Sequence, residues 1–224
     1  MQPATARCDG VHFGYATAAG EVHALRGVDL EVRSGELTLL TGSSGSGKST
    51  LLNVLAGLEQ ASQGRVEVLG KTLNSMSASE RAALRLNHIG MVFQDNNLIA
   101  QFTAAENVEL VLGCQGSPQP AEAARRLLGE VDMEELADRR AGAMSGGQRQ
   151  RVGIARALAG DRELLLCDEP TGSLDRANSL TLFETLKRLA HDEGVAVLVA
   201  THDPEAVAFA DRHLVIVDGL LACK

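Results

Sequence analysis

Polar positions alternate around Leu25, Val28, Leu30 and Val32 between residues 22 and 32, which predicts strands in a half-exposed sheet. Gly35 then turns the chain into Leu37-Thr38-Leu39-Leu40-Thr41, a short buried strand. A glycine-rich loop follows, then a helical run over residues 49–56 that stops at Gly57, where helices favour glycine. Residues 65–69 read as another strand. From about residue 75 to residue 144 the pattern changes to helix and loop. There Thr103-Ala104-Ala105-Glu106 predicts a capping box that opens a helix through Leu112. Residues 116–120 form a turn-rich link, residues 121–131 a second helix and residues 132–138 a short third. After Ser145 a helix runs to about Ala159. Residues 164–167, 195–200 and 214–217 read as strands, with a helix over residues 179–191 between the first two. Strand and helix in alternation predict an α/β fold, with a mostly parallel sheet and helices on both faces. No internal repeat or low-complexity linker breaks the chain. It reads as one domain over residues 1–224, with residues 1–74 and 145–224 as core and about 75–144 as an inserted helical subdomain.

Composition narrows the class. The 224 residues are 45% hydrophobic, a globular value, and are enough to bury a sizeable core. A net charge of -8 argues against a nucleic-acid binder, which would present a basic face. The strongest apolar runs are of strand length, far short of the roughly 18 residues a membrane helix needs. Met1-Gln2-Pro3-Ala4-Thr5 has neither the basic start nor the apolar centre of a secretory signal. Cys8, Cys114, Cys167 and Cys223 share no metal-ligand spacing and read as reduced thiols of a cytosolic protein.

Three motifs carry the chemistry. Gly42-Ser43-Ser44-Gly45-Ser46-Gly47-Lys48-Ser49, followed by Thr50, fits the pattern of a phosphate loop between strand and helix. Its glycines let the backbone wrap an anion, and its N–H groups and the helix N-terminus point at that anion. Lys48 adds a point charge for the outer phosphates, and the Ser49 hydroxyl suits Mg²⁺. A buried apolar strand then ends in Asp168-Glu169 at its carboxyl edge, where α/β sheets place their ligands. Asp168 suits the Mg²⁺ shell, and Glu169 is placed to orient an attacking water or take its proton. Finally Ser145-Gly146-Gly147-Gln148 opens a helix with two glycines, a poor start unless a phosphate must approach the backbone. One chain cannot easily bring both anion sites to one phosphate, so a head-to-tail symmetric dimer is implied.

Over nearly its whole length the chain resembles the ATP-binding subunits of ABC transporters. The phosphate loop resembles the Walker A element, Leu164 to Glu169 the Walker B element, and Ser145 to Gln148 the signature loop. The resemblance implies a phosphate-loop core with an antiparallel β edge and an inserted helical subdomain. It also implies roles for single residues. Gln94 resembles the glutamine that touches Mg²⁺ and the water, and His202 the switch histidine at the γ-phosphate. Ser173-Leu174-Asp175 resembles the D-loop that crosses the dimer, and Tyr15 the aromatic that stacks on adenine. By this reading ATP and Mg²⁺ are the ligands. The catalytic set is Glu169, His202, Gln94 and Lys48, and the metal set is Ser49, Gln94 and Asp168.

Leu84 to Gln94, Glu106-Asn107-Val108 and Asp168 to Asp175 look like the lipoprotein-release and macrolide-export branch, which also resembles the cell-division ATPase of this family. Three departures stand out: Met144 where leucine is usual, Ala141-Gly142-Ala143 where a proline is common, and Cys167 beside Asp168. The second predicts a looser approach to the signature loop. The expected partners are a second copy of the chain and an integral membrane permease, with the chain on the cytoplasmic face of the inner membrane. Residues 95–102, directly after Gln94, are the expected docking groove, with Leu98, Ile99 and Phe102 as its exposed apolar side chains. Two alternatives are a soluble ATPase acting on DNA or ribosomes and a regulatory subunit at a division site. The length leaves no room for the coiled coil or second cassette of the former.

Overall fold

The computed structural model describes residues 4–17 and 20–223. Residues 1–3, which carry the reading of the N-terminus, and the side chain of Cys223 lie outside that description. Strands β1 (Ala4–Thr17) and β2 (Gly20–Arg33) pair antiparallel, and β1 pairs on its other side with β4 (Gln63–Val68), which carries β5 (Lys71–Thr72). Cys8 sits opposite both Leu30 and Val66, so one row of small and branched side chains turns inward. Register shifts after Cys8 and Phe13 break the period of two in β1, so its sequence does not alternate as a strand should.

The second sheet has the order β10-β9-β3-β8-β7-β6. Here β3 spans Leu37–Thr41, β6 Ile89–Val92, β7 Leu164–Asp168, β8 Ala196–Ala200, β9 Arg212–Val217 and β10 Leu220–Cys223. All pairs are parallel except β10 with β9. Both faces are covered, so the central strands are apolar at nearly every position. The pleat still sorts them. Leu40, Leu164, Leu166 and Leu198 pack toward helix α1 (Lys48–Leu55) and the antiparallel sheet, whereas Leu39, Leu165, Cys167 and Val199 pack with Phe183 and Leu186 of α6 (Arg176–Glu193).

A third apolar cluster joins α3 (Ala104–Cys114), α4 (Pro120–Gly129) and α5 (Gly146–Ala157) through Val108, Leu112, Leu128 and Val152. Helix α5 is shared, since Val152 and Ala155 face this cluster while Ile154 and Ala157 face the sheet. The expected capping box of α3 is present, with Thr103 and Glu106 satisfying each other's backbone N–H groups.

The sequence reading assigned no element to β1 or β10, and it differs from the structure elsewhere as well. The stretch 75–144, read as helix and loop, also holds a strand. After α2 (Ala78–His88) the chain re-enters the parallel sheet as β6, its edge strand. Four residues are too few to display a period, and Gly90 is there because a Cβ would come within 2.3 Å of the Ala157 carbonyl oxygen. Residues 132–138 hold only a 3-10 turn, Glu134–Leu136, entered through Asp132 at φ 57°. Helix α6 begins at Arg176, before the expected residue 179, because the Asp175 side chain caps it by accepting from the N–H of Asn178. No helix among the described residues is long and apolar enough to cross a membrane.

Candidate functional site

The phosphate loop leaves β3 at Gly42 and ends at Gly47, the cap of α1. Both glycines are sterically required. A Cβ on Gly42 would lie 2.3 Å from the Ile216 carbonyl oxygen, and one on Gly47, at φ 108°, 2.5 Å from that of Ala24. The loop is therefore pressed against β9 and β2 and keeps its concave side free. Lys48 is buried and its Nζ donates to the carbonyls of Gly42 and Ser43 at 2.9 and 3.2 Å. Ser46 is buried, and its hydroxyl makes no hydrogen bond within the protein.

Strand β7, two places from β3 in the sheet, delivers Asp168 and Glu169. Oδ1 of Asp168 is buried without a partner. Burial pushes the Asp168 carboxyl above the usual carboxylate range, opposed by a hydrogen bond from Ser49, while the charge of Glu169 adds to the rise and Lys48 opposes it. Glu169 sits at φ 47°, a backbone state that costs a non-glycine residue of order 1 kcal/mol and is held here by its N–H bonded to the Ala200 carbonyl at 2.8 Å. Its Oε2 accepts from Thr201 Oγ1 at 3.0 Å and from the His202 N–H at 3.3 Å. Oε1 lies 3.9 Å from Lys48 Nζ. Thr201 is fully buried and was not singled out from the sequence; its one signal there is its place between β8 and His202.

These elements enclose a cleft of about 740 Å³. Of the expected site residues, Tyr15, Gly42, Ser43, Ser44, Gly45, Gly47, Lys48, Ser49, Thr50, Gln94, Glu169 and His202 line it. Ser46, buried within the loop, does not line the cleft. Tyr15 closes one end from β1, held edge-on to Phe13 with ring centroids 4.8 Å apart, its hydroxyl 3.2 Å from Thr50 Oγ1. Val22, His23 and Ala24 from β2 complete that wall; the sequence reading did not assign them. Gln94, just past β6, also lines the cleft. Beyond it Asn96 and Asn97 have positive φ, and the guanidinium of Arg156 donates to both their carbonyls at 2.6 Å.

Ser145, Gly146, Gly147 and Gln148 do not line this cleft. Ser145 caps α5 in another capping box, accepting from the Gln148 N–H while the Gln148 side chain accepts from the Ser145 N–H. The glycines lie against the D-loop, where a Cβ on Gly147 would be 3.2 Å from the Ser173 carbonyl oxygen. Met144 is buried in the helical cluster as an apolar anchor. The expected loosening at residues 141–143 is not found. Ala141 and Gly142 donate to the carbonyls of Phe102 and Ala100, both at 2.9 Å, and Arg139 donates to that of Ala143, so hydrogen bonds replace the stiffness of a proline. Cys8, Cys114 and Cys167 are free thiols, and burial pushes that of Cys167 far up.

The expected docking stretch divides. Leu98 turns into the helical cluster, whereas Asn97 and Ile99 line a groove of about 400 Å³ with Leu58, Leu86, Phe93 and Leu110. Phe102 is not among the groove's lining residues.

Comparison with known proteins places this geometry. Residues 25–172 match the ABC transporter family. The chain is 43% identical over 208 residues to the lipoprotein-releasing system ATP-binding protein LolD of Psychrobacter arcticus, covering 92% of each chain. It is 41% identical to the LolD protein of Paramagnetospirillum magneticum, covering 96% of each. Among solved structures it is similar to the ATP-binding cassette MJ0796, in a dimeric post-hydrolysis state bound to ADP and Pi. That match has a TM-score of 0.92 at 33% identity and covers 97% of this chain and 98% of the other. A phosphate loop, an acidic strand end and a glutamine and histidine turned into one cleft, on a chain matched over its length, make one conclusion: the protein belongs to the ABC transporter family and is an ATP-binding, ATP-hydrolysing subunit of that family.

Proposed function

We propose that the chain works as a head-to-tail homodimer that binds two ATP molecules between its copies and drives a membrane permease of the lipoprotein-releasing kind. The observation that carries this reading is the separation of the two anion sites. The phosphate loop, Glu169, Gln94 and His202 share one cleft, while Ser145 to Gln148 stand at a helix start outside it. Facing a second copy, each signature helix would cap the γ-phosphate held by the other loop, its N–H groups and dipole directed at the anion. The similarity to LolD proteins supports the choice of permease, and that pairing would keep the chain on the cytoplasmic face of the inner membrane. The net charge of -8 gives nucleic acid no part in the reading.

In the closed dimer Lys48 would leave the carbonyls of Gly42 and Ser43 for the outer phosphates. Tyr15 would turn its ring to the adenine, beside the loop residues Gly42 to Thr50. Water attacks the γ-phosphorus, the bond to the ADP oxygen breaks, and Glu169 takes the water's proton while Gln94 and His202 orient the reacting groups. The residues fit Mg²⁺: Asp168 has one buried oxygen without a partner, the Ser49 hydroxyl bonds to the same carboxyl group, and Ser49 and Gln94 both line the cleft. Asp168, Ser49 and Gln94 would hold the ion together with phosphate oxygens and water, as one carboxylate plus substrate phosphates usually does for Mg²⁺. When bound, the ion neutralises charge that develops on the phosphate oxygens. The helical subdomain, read here as beginning after β6 and closing on α5, would transmit closure to the permease.

The test is the pair Glu169→Gln and Ser145→Arg. Glu169→Gln should trap an ATP-bound dimer, seen by size-exclusion chromatography. Adding Ser145→Arg should abolish it by placing a bulky cation's side chain at the shared phosphate. A double variant that still dimerises with ATP sinks the composite site.

A further inference from the structure

We infer that Thr201 is a positioning residue for hydrolysis: its hydroxyl anchors one oxygen of Glu169, Oε2, and so leaves the other, Oε1, as the oxygen that meets the attacking water. The inference rests on Glu169 as the general base, as proposed above.

The direction of the hydrogen bond is fixed by the groups around it. The Thr201 hydroxyl lies 3.0 Å from Glu169 Oε2 and accepts from the Asp203 N–H at 3.1 Å. A carboxylate only accepts, so the single hydroxyl proton goes to Oε2 and the hydroxyl lone pairs are left for Asp203. Thr201 is fully buried, so water does not replace either bond when it is lost. The backbone is held as well. The Thr201 N–H donates to the Leu40 carbonyl of β3 at 3.2 Å, two residues before Gly42 opens the phosphate loop. On the other side of β8, the Glu169 N–H donates to the Ala200 carbonyl at 2.8 Å. The hydroxyl is thus carried on the strand between the phosphate loop and the general base, and it fixes the carboxylate in the frame of the loop.

The two oxygens of Glu169 are not equivalent. Oε2 takes the donors from Thr201, from the His202 N–H at 3.3 Å and from His202 Nδ1 at 2.9 Å. Among the described residues Oε1 accepts no hydrogen bond, and it faces the Lys48 ammonium 3.9 Å away. The donors also differ in permanence. The His202 side chain is largely exposed, so it is free to leave Oε2 for a nucleotide, whereas Thr201 is not. When the histidine turns away, the hydroxyl and one backbone N–H still hold Oε2, and the carboxylate does not exchange its oxygens. Glu169 needs this support, because its backbone leaves the strand at φ 47° and its side chain has three rotatable bonds. Thr201 does not line the cleft, so it acts through Glu169 and not on the nucleotide.

The experiment uses the full chain. Phosphate release across ATP concentration and binding of a fluorescent ATP analogue are measured for Thr201→Val, Thr201→Ser, Glu169→Gln and the double variant of Glu169→Gln with Thr201→Val. Valine keeps the branched shape and removes the donor, while serine keeps the donor. Thr201→Val should lower kcat by about 10–100-fold, the scale that misplacing a reacting group produces, with KM and analogue binding within about twofold. Thr201→Ser should stay within about threefold of the parent, since the bond is retained. In the Glu169→Gln chain, whose residual rate is read in single turnover, Thr201→Val should change the rate by less than about twofold, because no base remains to be placed. A Thr201→Val chain with the parental kcat, or a Thr201→Ser chain as slow as Thr201→Val, overturns the anchor. Equal losses from Thr201→Val with and without Glu169 also overturn it, since that is what a purely structural role gives. If Thr201→Val does not fold, Thr201→Ala removes the same donor and takes its place. A Glu169→Gln chain as fast as the parent overturns the general base and the anchor with it, while loss in Glu169→Gln beside a parental rate in Thr201→Val overturns the anchor alone.

Discussion

The carboxylate of Glu169 accepts a hydrogen bond from ring Nδ1 of His202 at 2.9 Å, linking a side chain 13% exposed to one 78% exposed. Facing a carboxylate, Nδ1 is the donor, which leaves Nε2 free to accept a hydrogen bond. The pair joins the ends of β7 and β8 across the mouth of the cleft, and Thr201 supplies a second donor to the same oxygen.

This arrangement ranks two substitutions. His202→Ala leaves Glu169 with the donors from Thr201 and the backbone, so the carboxylate stays placed while one orienting group is lost. Phosphate release should fall by about 10–100-fold, less than the roughly 10²–10⁴-fold expected for removing the general base in Glu169→Gln. A His202→Ala chain as fast as the parent would remove the histidine from the mechanism.

Lys48 is buried, with its ammonium bonded to two loop carbonyls. Hydrogen bonds to charged groups contribute about 1.5–3 kcal/mol, so Lys48→Ala should weaken ATP binding by about 10–100-fold and abolish hydrolysis. Titration with a fluorescent nucleotide and a phosphate-release assay read the two effects separately. Full activity would reassign the loop.

Asp168 yields a prediction about stability. Burial holds its carboxyl above the usual range, so the folded chain binds this proton more tightly than the unfolded chain does. Such a group costs stability above its unfolded pKa, and the cost is complete above the folded pKa. Asp168→Asn removes the charge and keeps a partner for Ser49. Without nucleotide or Mg²⁺ at neutral pH it should melt about 2–4 °C higher, the shift that roughly 1 kcal/mol produces in a domain of this size. The gain should vanish as pH drops below the ordinary carboxylate pKa, and Mg²⁺-dependent hydrolysis should be lost. A melting temperature at or below that of the parent would contradict the unpartnered charge.

The groove lined by Asn97, Ile99, Phe93 and Leu110 is the expected seat of the permease. Phe93 and Asn97 of the groove flank Gln94 of the nucleotide cleft in sequence, and the backbone between has positive φ at Asn96 and Asn97. Cysteines at Asn97 and Gln101, both exposed, should cross-link to the co-purifying permease in a manner that depends on ATP. The background needs Cys114 and Cys223 changed to serine; Cys8 and Cys167 are buried, with thiols pushed up by burial and unreactive. Cross-links from elsewhere on the helical subdomain, with none from these two positions, would move the docking surface.

Local chemistry was legible from the chain alone because it depends on neighbours in sequence. The phosphate loop needs glycines at Gly42 and Gly47, the acidic strand end needs apolar residues up to Cys167, and the caps at Ser145 and Thr103 announce themselves by their Gln and Glu three residues on. These motifs, with the alternation of strand and helix, determined the fold class and most residues of the cleft, whereas Val22, His23 and Ala24 reach it only through the pairing of β1 with β2. Tertiary structure decided what depends on residues distant in the chain. It placed β6 at the edge of the parallel sheet, since a four-residue strand has no readable period and exists only because β7 pairs with it. It straightened β1, whose register shifts erase alternation, by pairing it on both sides. It brought Thr201 under Glu169 and Arg151 onto Asn178, contacts made across 32 and 27 residues by side chains that have no motif of their own. Hydrogen bonds between distant segments leave no periodicity in a sequence, because what aligns them is the packing of the sheet and not the spacing of the chain.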